Sequence, residues 1–270
     1  MTDLGTVVAW GAASRPGPAR ATNEDAAFAR SPIFAVADGM GGHVGGATAS
    51  AAAVAELEAL AGQELSADTM VRAIDAANGS ILSKAERDPS LMGMGTTLAG
   101  VALVLDGPRE LWLAFNIGDS RIYRLLREGF TQISVDHSLV QELVDSHELS
   151  AEDAVTDTRR NVVTRALGSD AAPEVDFWLL TPSEGERFLL CSDGVSGALS
   201  VGSLEQLLMM HHDPQEAAEA LVAAAVEAGT KDDVTAVVVD TQHAPEDVSM
   251  QDTVTIERPR ADAARQGEGS

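Results

Sequence analysis

Apolar and polar positions alternate with two different periods along this chain, and the switches between them mark out its elements. Residues 6–10 and 33–37 read as strands, separated by a loop rich in Arg, Pro and Gly. From Gly46 to Ala61 the period becomes helical, with Val54, Leu57 and Ala61 on one face. A second helix starts after Ser66, where Met70, Ile74, Ala77, Ile81, Leu82 and Ala85 recur at three- and four-residue steps. Two adjacent amphipathic helices predict a cover for one sheet face. Strands follow at 97–105, 111–116 and 121–126, the first two joined as a hairpin across Gly107-Pro108. A helical piece near 139–147 leads into a polar stretch without a clear period, and 145–160 reads as a mobile flap. Strands return at 162–166, 175–180 and 187–191. Ser203-Leu-Glu-Gln206 has the form of a capping box opening a helix. Asp213-Pro214-Gln-Glu216 places a cap residue before a proline at the first helical position. That last helix ends at Gly229, and a strand over 234–240 closes the domain. Two runs of strands with two helical pairs predict an α+β sandwich rather than an alternating parallel sheet.

Composition narrows the picture. With 270 residues the chain can bury a full core as one domain, here residues 1–242. Aromatic residues are few, so Ala, Val and Leu must supply core volume. From His243 onward there is no aromatic residue and little apolar content, which predicts a disordered acidic tail over 243–270. The net charge of -24 argues against a nucleic-acid partner, because phosphate backbones want Lys and Arg. Cys191 is the single cysteine, so neither an intrachain disulfide nor a cysteine-based zinc site is available. Asp3 and the lack of a basic start make a poor signal peptide, and no run of about 18 apolar residues predicts a membrane span. A reducing cytoplasm fits these features.

The candidate chemistry lies at the ends of the apolar runs. Phe34-Ala-Val-Ala-Asp38-Gly39, Ala114-Phe-Asn-Ile-Gly118-Asp119 and Phe188-Leu-Leu-Cys-Ser-Asp193-Gly194 each end on an aspartate beside a glycine. A fourth acidic pair, Asp232-Asp233, precedes the run from Val234 to Val239. One Asp-Gly pair usually marks only a turn. Several carboxylates meeting at one sheet edge would repel one another unless a cation neutralised them. Hard oxygen ligands suit Mg2+ or Mn2+. Hydrolysis of phosphate esters is the typical task of two such ions about 3.5–4 Å apart, with an arginine fork holding the phosphate oxygens.

Seven segments, in order, resemble the motifs of the metal-dependent serine/threonine protein phosphatases of the 2C type, in their bacterial form. They are Arg20-Ala-Thr-Asn23-Glu24-Asp25, Asp38-Gly39-Met40-Gly41-Gly42-His43, Gly95-Thr96-Thr97, Gly118-Asp119-Ser120-Arg121, Asn161-Val-Val-Thr164-Arg165-Ala-Leu-Gly168, Ser192-Asp193-Gly194 and Lys231-Asp232-Asp233-Val-Thr235. The match covers roughly residues 5–240. The resemblance implies a four-layer α/β/β/α sandwich, two mainly antiparallel sheets flanked by helix pairs. It implies that Asp38 bridges two Mn2+ or Mg2+ ions, that the Gly39 carbonyl binds one of them, and that Asp193 and Asp232 complete the other site. Asp119, with Asp193, would hold a third, weaker ion. Arg20 would bind the substrate phosphate, with Glu24 and Asp25 orienting bound water or Arg20 from behind. His43 is a candidate general acid for the leaving oxygen, since a histidine titrates near working pH. A turn-stabilising role competes with that reading, because animal members carry their histidine where this chain has Met40. The implied activity is hydrolysis of phosphoserine and phosphothreonine in proteins by a metal-bound hydroxide, opposing a bacterial serine/threonine kinase.

Two departures from the family pattern stand out. Asp233 occupies the place of a usual asparagine, removing an amide donor and adding a negative charge. Asp157-Thr158 precede Arg159-Arg160-Asn161 where many relatives carry a His-Pro pair, which bears on substrate choice. His137 reads as a structural residue before a helix, capping it through Asp136; the pair His211-His212 reads as surface. A cysteine phosphatase is excluded, since the position six after Cys191 is Gly197 and not arginine. No Gly-x-Ser-x-Gly elbow occurs, and the glycine-rich 39–46 segment lacks the Gly-Lys-Ser/Thr ending of a nucleotide-binding loop. Thr253-Val-Thr255 in the tail reads as solvated linker, with a kinase site or docking segment as the sharper alternative. Two rival functions remain on the same fold: a non-catalytic regulatory binding module, and a hydrolase of small phosphorylated metabolites.

Overall fold

Alternation within the strands sets the layers of the structure, a computed structural model that describes residues 5–18, 20–244 and 254–256. Strand β3 (Ile33–Met40) sends Ile33, Ala35 and Ala37 to one side and Phe34 and Val36 to the other. The first set packs under α1 (His43–Glu58) and α2 (Ala67–Arg87), against Leu57, Met70, Ile74 and Ile81. The second set meets Trp112, Phe188, Leu190, Val237 and Val239 in a core between two sheets. A third cluster joins the outer face of the second sheet, through Leu189, Ala236 and Val238, to Leu204, Leu208, Leu221 and Val222 on α6 (Val201–Met210) and α7 (Pro214–Glu227). Helices, sheet, sheet and helices therefore form the expected four layers. Each fully buried large side chain contributes about 1.5–3 kcal/mol relative to exposure.

Both sheets are antiparallel. One has the order β1 (Val7–Arg15), β11 (Val234–His243), β10 (Arg187–Cys191), β7 (Arg121–Leu126) and β8 (Gly129–Gln132). The other has β12 (Val254–Ile256), β9 (Asp176–Leu180), β6 (Arg109–Ile117), β5 (Leu98–Asp106), β3 and β2 (Asp25–Arg30), with β4 (Gly95–Thr96) beside β3. The β5–β6 hairpin turns across Gly107-Pro108 as the sequence predicts, with Asp106 opposite Arg109. Ser66 caps α2 by accepting from the Thr69 N–H, and Asp213 caps α7 by accepting from Gln215 and Glu216.

Several expectations need correction. Residues 25–30 form β2 and are not part of a loop. Residues 162–166 form no strand; this stretch is held by an isolated bridge from Val163 to Ser138 and by backbone bonds of Val162 and Thr164 to Leu139 and His137. The cap of α6 is Ser200, whose hydroxyl accepts from the Ser203 N–H, so Ser203 lies inside the first turn. His137 does not act through Asp136: Ser138 caps α3 (Leu139–Asp145), while Asp136 is engaged by Arg121. Within the stretch expected as tail, His243 ends β11 and residues 254–256 pair with β9. Thr253 lies outside the described residues, as do residues 245–252 and 257–270. The flap region holds α3, α4 (Ala151–Ala154) and an exposed segment around Arg159 and Arg160. Among the described residues no helix is long and apolar enough to cross a membrane.

Candidate functional site

The acidic residues singled out by the sequence are delivered by separate elements to one end of the sandwich. Asp38 sits near the end of β3, and Asp25 opens β2 directly opposite it in register. Asp119 lies in the β6–β7 turn, Asp193 begins the short helix α5 (Asp193–Ser196), and Asp232-Asp233 precede β11. Asp38 is within electrostatic reach of Asp25, Asp193, Asp119 and Asp232. Its strand end is held by two threonines. The Asp38 N–H donates to Thr97 Oγ1 at 2.9 Å, and the Asp38 carbonyl accepts from the Thr97 N–H and Thr96 Oγ1, each at 2.9 Å. Thr97 Oγ1 also bonds Ser120 Oγ at 2.7 Å, which links the Asp38 strand to the neighbour of Asp119. Gly39 and Gly46 let the strand end and the first turn of α1 meet backbone to backbone; a Cβ on Gly46 would lie 2.7 Å from the Gly39 carbonyl oxygen.

Gathering carboxyls with few counter-charges makes them hold protons. Burial first, then Asp25, Asp193, Asp119 and Asp232, push Asp38 well above the usual carboxyl range. Burial, with repulsion from Asp233 and Asp193, pushes Asp25 up to about 7 despite the Ser192 hydroxyl at 2.8 Å. Burial, then Asp193 and Asp136, push Asp119 up to about 7. Asp193 is raised by burial and by Asp232. Asp25 Oδ1 and Asp193 Oδ1 are buried without a hydrogen-bond partner. Repelling carboxyls with orphaned oxygens are the complement of a hard divalent cation. Among the described residues no three acidic, imidazole or thiol groups close around one point, so a cation here would complete its shell with backbone carbonyl and water. Mg2+ in particular keeps several waters when bound by one or two carboxylates.

Two guanidiniums border the carboxyls: Arg121, held by Asp136, draws Asp119 and Asp193 downward against the larger effect of burial, and Arg20 lies at Asp232. Arg20 pairs with Asp232 and, at 3.4 Å, with Glu24. Burial alone would lower the Arg20 pKa, but Asp232, Asp233 and Glu24 raise it. The loop carrying Arg20 is pinned by Asp233, which is 2% exposed. Asp233 Oδ1 accepts from the Gly17 N–H at 2.8 Å and Oδ2 from the Glu24 N–H at 2.7 Å. A carboxylate satisfies both donors; an amide would accept from one and turn its own NH2 toward the other. Asp233→Asn is therefore expected to cost about 1–3 kcal/mol, seen as a lowered melting temperature, and to loosen the Arg20 loop. An unchanged melting temperature would contradict the two-donor role.

Residues 19–226 match the protein phosphatase 2C family, and the chain belongs to it. The chain is 38% identical over 245 residues to the serine/threonine protein phosphatase PstP of Mycobacterium tuberculosis, covering 89% of this chain and 46% of that protein. It thus spans about half the length of that relative. The crystal structure of the M. tuberculosis phosphatase superposes with a TM-score of 0.81 at 36% identity, over 88% of this chain and all of the solved one. The catalytic domain of PstP in complex with two manganese ions gives 0.77 at 35% identity, over 87% and 98%.

Of the residues named from sequence, Asp25, Asp38, Asp119, Asp193 and Asp232 come together, with Arg20, Glu24 and Asp233 alongside. Asp25 lies opposite Asp38 in register and accepts from the Ser192 hydroxyl, while Glu24 reaches Arg20. His43 opens α1, and its side chain lies outside the described part of the structure. Cys191 is buried in β10 and pushed by that burial up to about 12, which suits a packing role. Thr97, Ser120 and Ser192 had no assigned role, although each lies inside a motif quoted above.

The raised carboxyls set a pH dependence. In the unfolded chain Asp25 and Asp119 titrate near 3.8, against about 7 in the fold. The folded state then binds more protons between these values, so their contribution is full below about 4 and lost as pH rises through about 7. Metal-free protein is expected to melt about 5 °C or more lower at pH 8 than at pH 5, and excess Mn2+ to abolish the difference. A flat melting profile in chelator would contradict this.

Proposed function

We propose that this chain is a cytoplasmic serine/threonine protein phosphatase that requires Mn2+ or Mg2+ and opposes a serine/threonine kinase. The observation that carries the reading is the carboxyl cluster around Asp38, with two orphaned oxygens and an arginine at its edge. Asp38 would be shared between two ions, with the Gly39 carbonyl on one and Asp193 and Asp232 on the other. Asp119, with Asp193, would take a third, weaker ion. Bound divalent cations supply an activated water and offset charge on the phosphoryl oxygens. The protein's own residues do the rest. Arg20 presents a planar fork that matches two phosphate oxygens. Asp232 would be a ligand of the ion, and Glu24, 3.4 Å from the guanidinium, holds the Arg20 fork in place. Asp233 fixes the loop from which Arg20 reaches. His43, at the start of α1, is the proposed donor of a proton to the leaving serine or threonine oxygen.

The test compares phosphate release from phosphothreonine and phosphoserine proteins with release from p-nitrophenyl phosphate and sugar phosphates, all in Mn2+. The account expects metal-dependent turnover of all phosphoproteins tested and a higher kcat/KM for them than for sugar phosphates. The reverse ranking would identify a small-molecule hydrolase. No turnover with any divalent ion would identify a binding module.

A further inference from the structure

His137 is 5% exposed, and each polar group it carries is engaged: two by Gly118, one by Thr164 and one by Asp176. Its N–H donates to the Gly118 carbonyl at 2.9 Å, and its Nδ1 accepts from the Gly118 N–H at 3.2 Å. One residue thus takes both backbone groups of the glycine that precedes Asp119. The other side of that turn is closed by Thr97, because Gly118 has φ +104° and a Cβ there would lie 2.6 Å from Thr97 Cβ. The His137 carbonyl faces the other way and accepts from the Thr164 N–H at 2.9 Å. With the Ser138–Val163 bridge and the Leu139 N–H to Val162 carbonyl bond at 2.8 Å, it closes the root of the flap. Finally, His137 Nε2 lies 3.1 Å from Asp176 Oδ2 on β9. Asp176 Oδ1 is 3.8 Å from Arg165, the residue after Thr164.

Only one ring state satisfies this set. Nδ1 must be bare to accept from Gly118, so the proton sits on Nε2 and is donated to Asp176. A core histidine satisfied by chance has no reason to hold both backbone groups of one turn with its own backbone and ring. We infer that His137 is a positioning residue that locks the Gly118–Asp119 turn to the root of the flap, so that the Asp119 carboxylate and the flap keep one fixed relation. Where the inference concerns a cation at Asp119 it rests on the phosphatase reading; the lock itself does not.

Isosteric variants separate the two ring nitrogens. Asparagine can place its amide oxygen where Nδ1 accepts from Gly118, and glutamine can reach Asp176 with its amide NH2. Hydrogen exchange of metal-free protein is the first readout. In His137→Ala and His137→Gln, amides of residues 116–120 and 139–164 are expected to exchange faster together, with the β-sheet core unchanged; His137→Asn restores protection. The second readout is equilibrium Mn2+ binding, where the weakest ion is expected to lose about tenfold in affinity in His137→Gln and to recover in His137→Asn. Faster exchange in only one of the two segments would overturn the lock, as would equal behaviour of the Asn and Gln variants. If the Ala variant does not fold, the Asn and Gln pair decides alone. A chain that proves inactive on phosphoproteins but shows the coupled exchange would keep the lock and lose the phosphatase reading.

Discussion

Asp38→Asn is expected to lower kcat/KM for a phosphothreonine peptide by about a thousandfold or more, equivalent to roughly 4 kcal/mol of transition-state stabilisation. The reasoning is electrostatic. Asp38 is the carboxyl that faces all of Asp25, Asp119, Asp193 and Asp232. Replacing it with an amide removes the charge shared between the proposed ion sites and leaves the backbone bonds to Thr96 and Thr97 in place. The same change relieves repulsion in the metal-free protein. Without Mn2+ the variant should therefore melt above the parent, while Mn2+ should raise its melting temperature less. Steady-state kinetics and thermal melts with and without chelator read both effects. Loss of activity together with a lower metal-free melting temperature would point to a damaged fold instead.

Arg20→Ala carries the second largest expected effect. Arg20 is paired with the carboxyl cluster at Asp232, and its loop is fixed at both ends by Asp233. Its removal should reduce kcat/KM about a hundredfold, with a rise in KM as a main component, because a positioned charge-assisted contact to phosphate is lost. Arg20→Lys should recover only a small part, since an ammonium group cannot make the forked contact. Mn2+ binding should survive both changes, because Asp232 is then free of its guanidinium partner. An Arg20→Ala protein with normal KM would remove Arg20 from the phosphate site.

Much of the fold was legible where burial and periodicity agree. The α2 stripe of Met70, Ile74, Ala77 and Ile81 is buried as the spacing predicts. β2 escaped because Asp25-Ala-Ala-Phe-Ala-Arg30 has one large apolar residue and low strand propensity; pairing with β3 decides it. Residues 162–166 failed in the opposite sense. Val162 is 47% exposed, so an apolar sequence there does not report a buried strand. Ser200 and Ser203 stand three apart around the start of the same helix, and local spacing could not choose between them as the cap.

The acidic site was legible because carboxylates at the ends of apolar runs are rare enough to notice together. What those residues rest on was not. Thr97, Ser120 and His137 act through contacts spanning tens of positions, such as Asp38 to Thr97 and Gly118 to His137. Asp233 was visible as an oddity, but its meaning depends on the N–H groups of Gly17 and Glu24. No spacing rule places those two donors on one carboxylate.

The central claim is that the carboxyls around Asp38 hold a pair of divalent ions on which phosphate hydrolysis depends. Mn2+ bound per chain should be counted by equilibrium dialysis while phosphopeptide turnover is followed in the same samples, for the parent and for Asp38→Asn. The account predicts about two tightly bound ions in the parent, turnover that appears as the second binds, and neither in the variant. Full turnover in chelator-treated protein holding no divalent ion would contradict it.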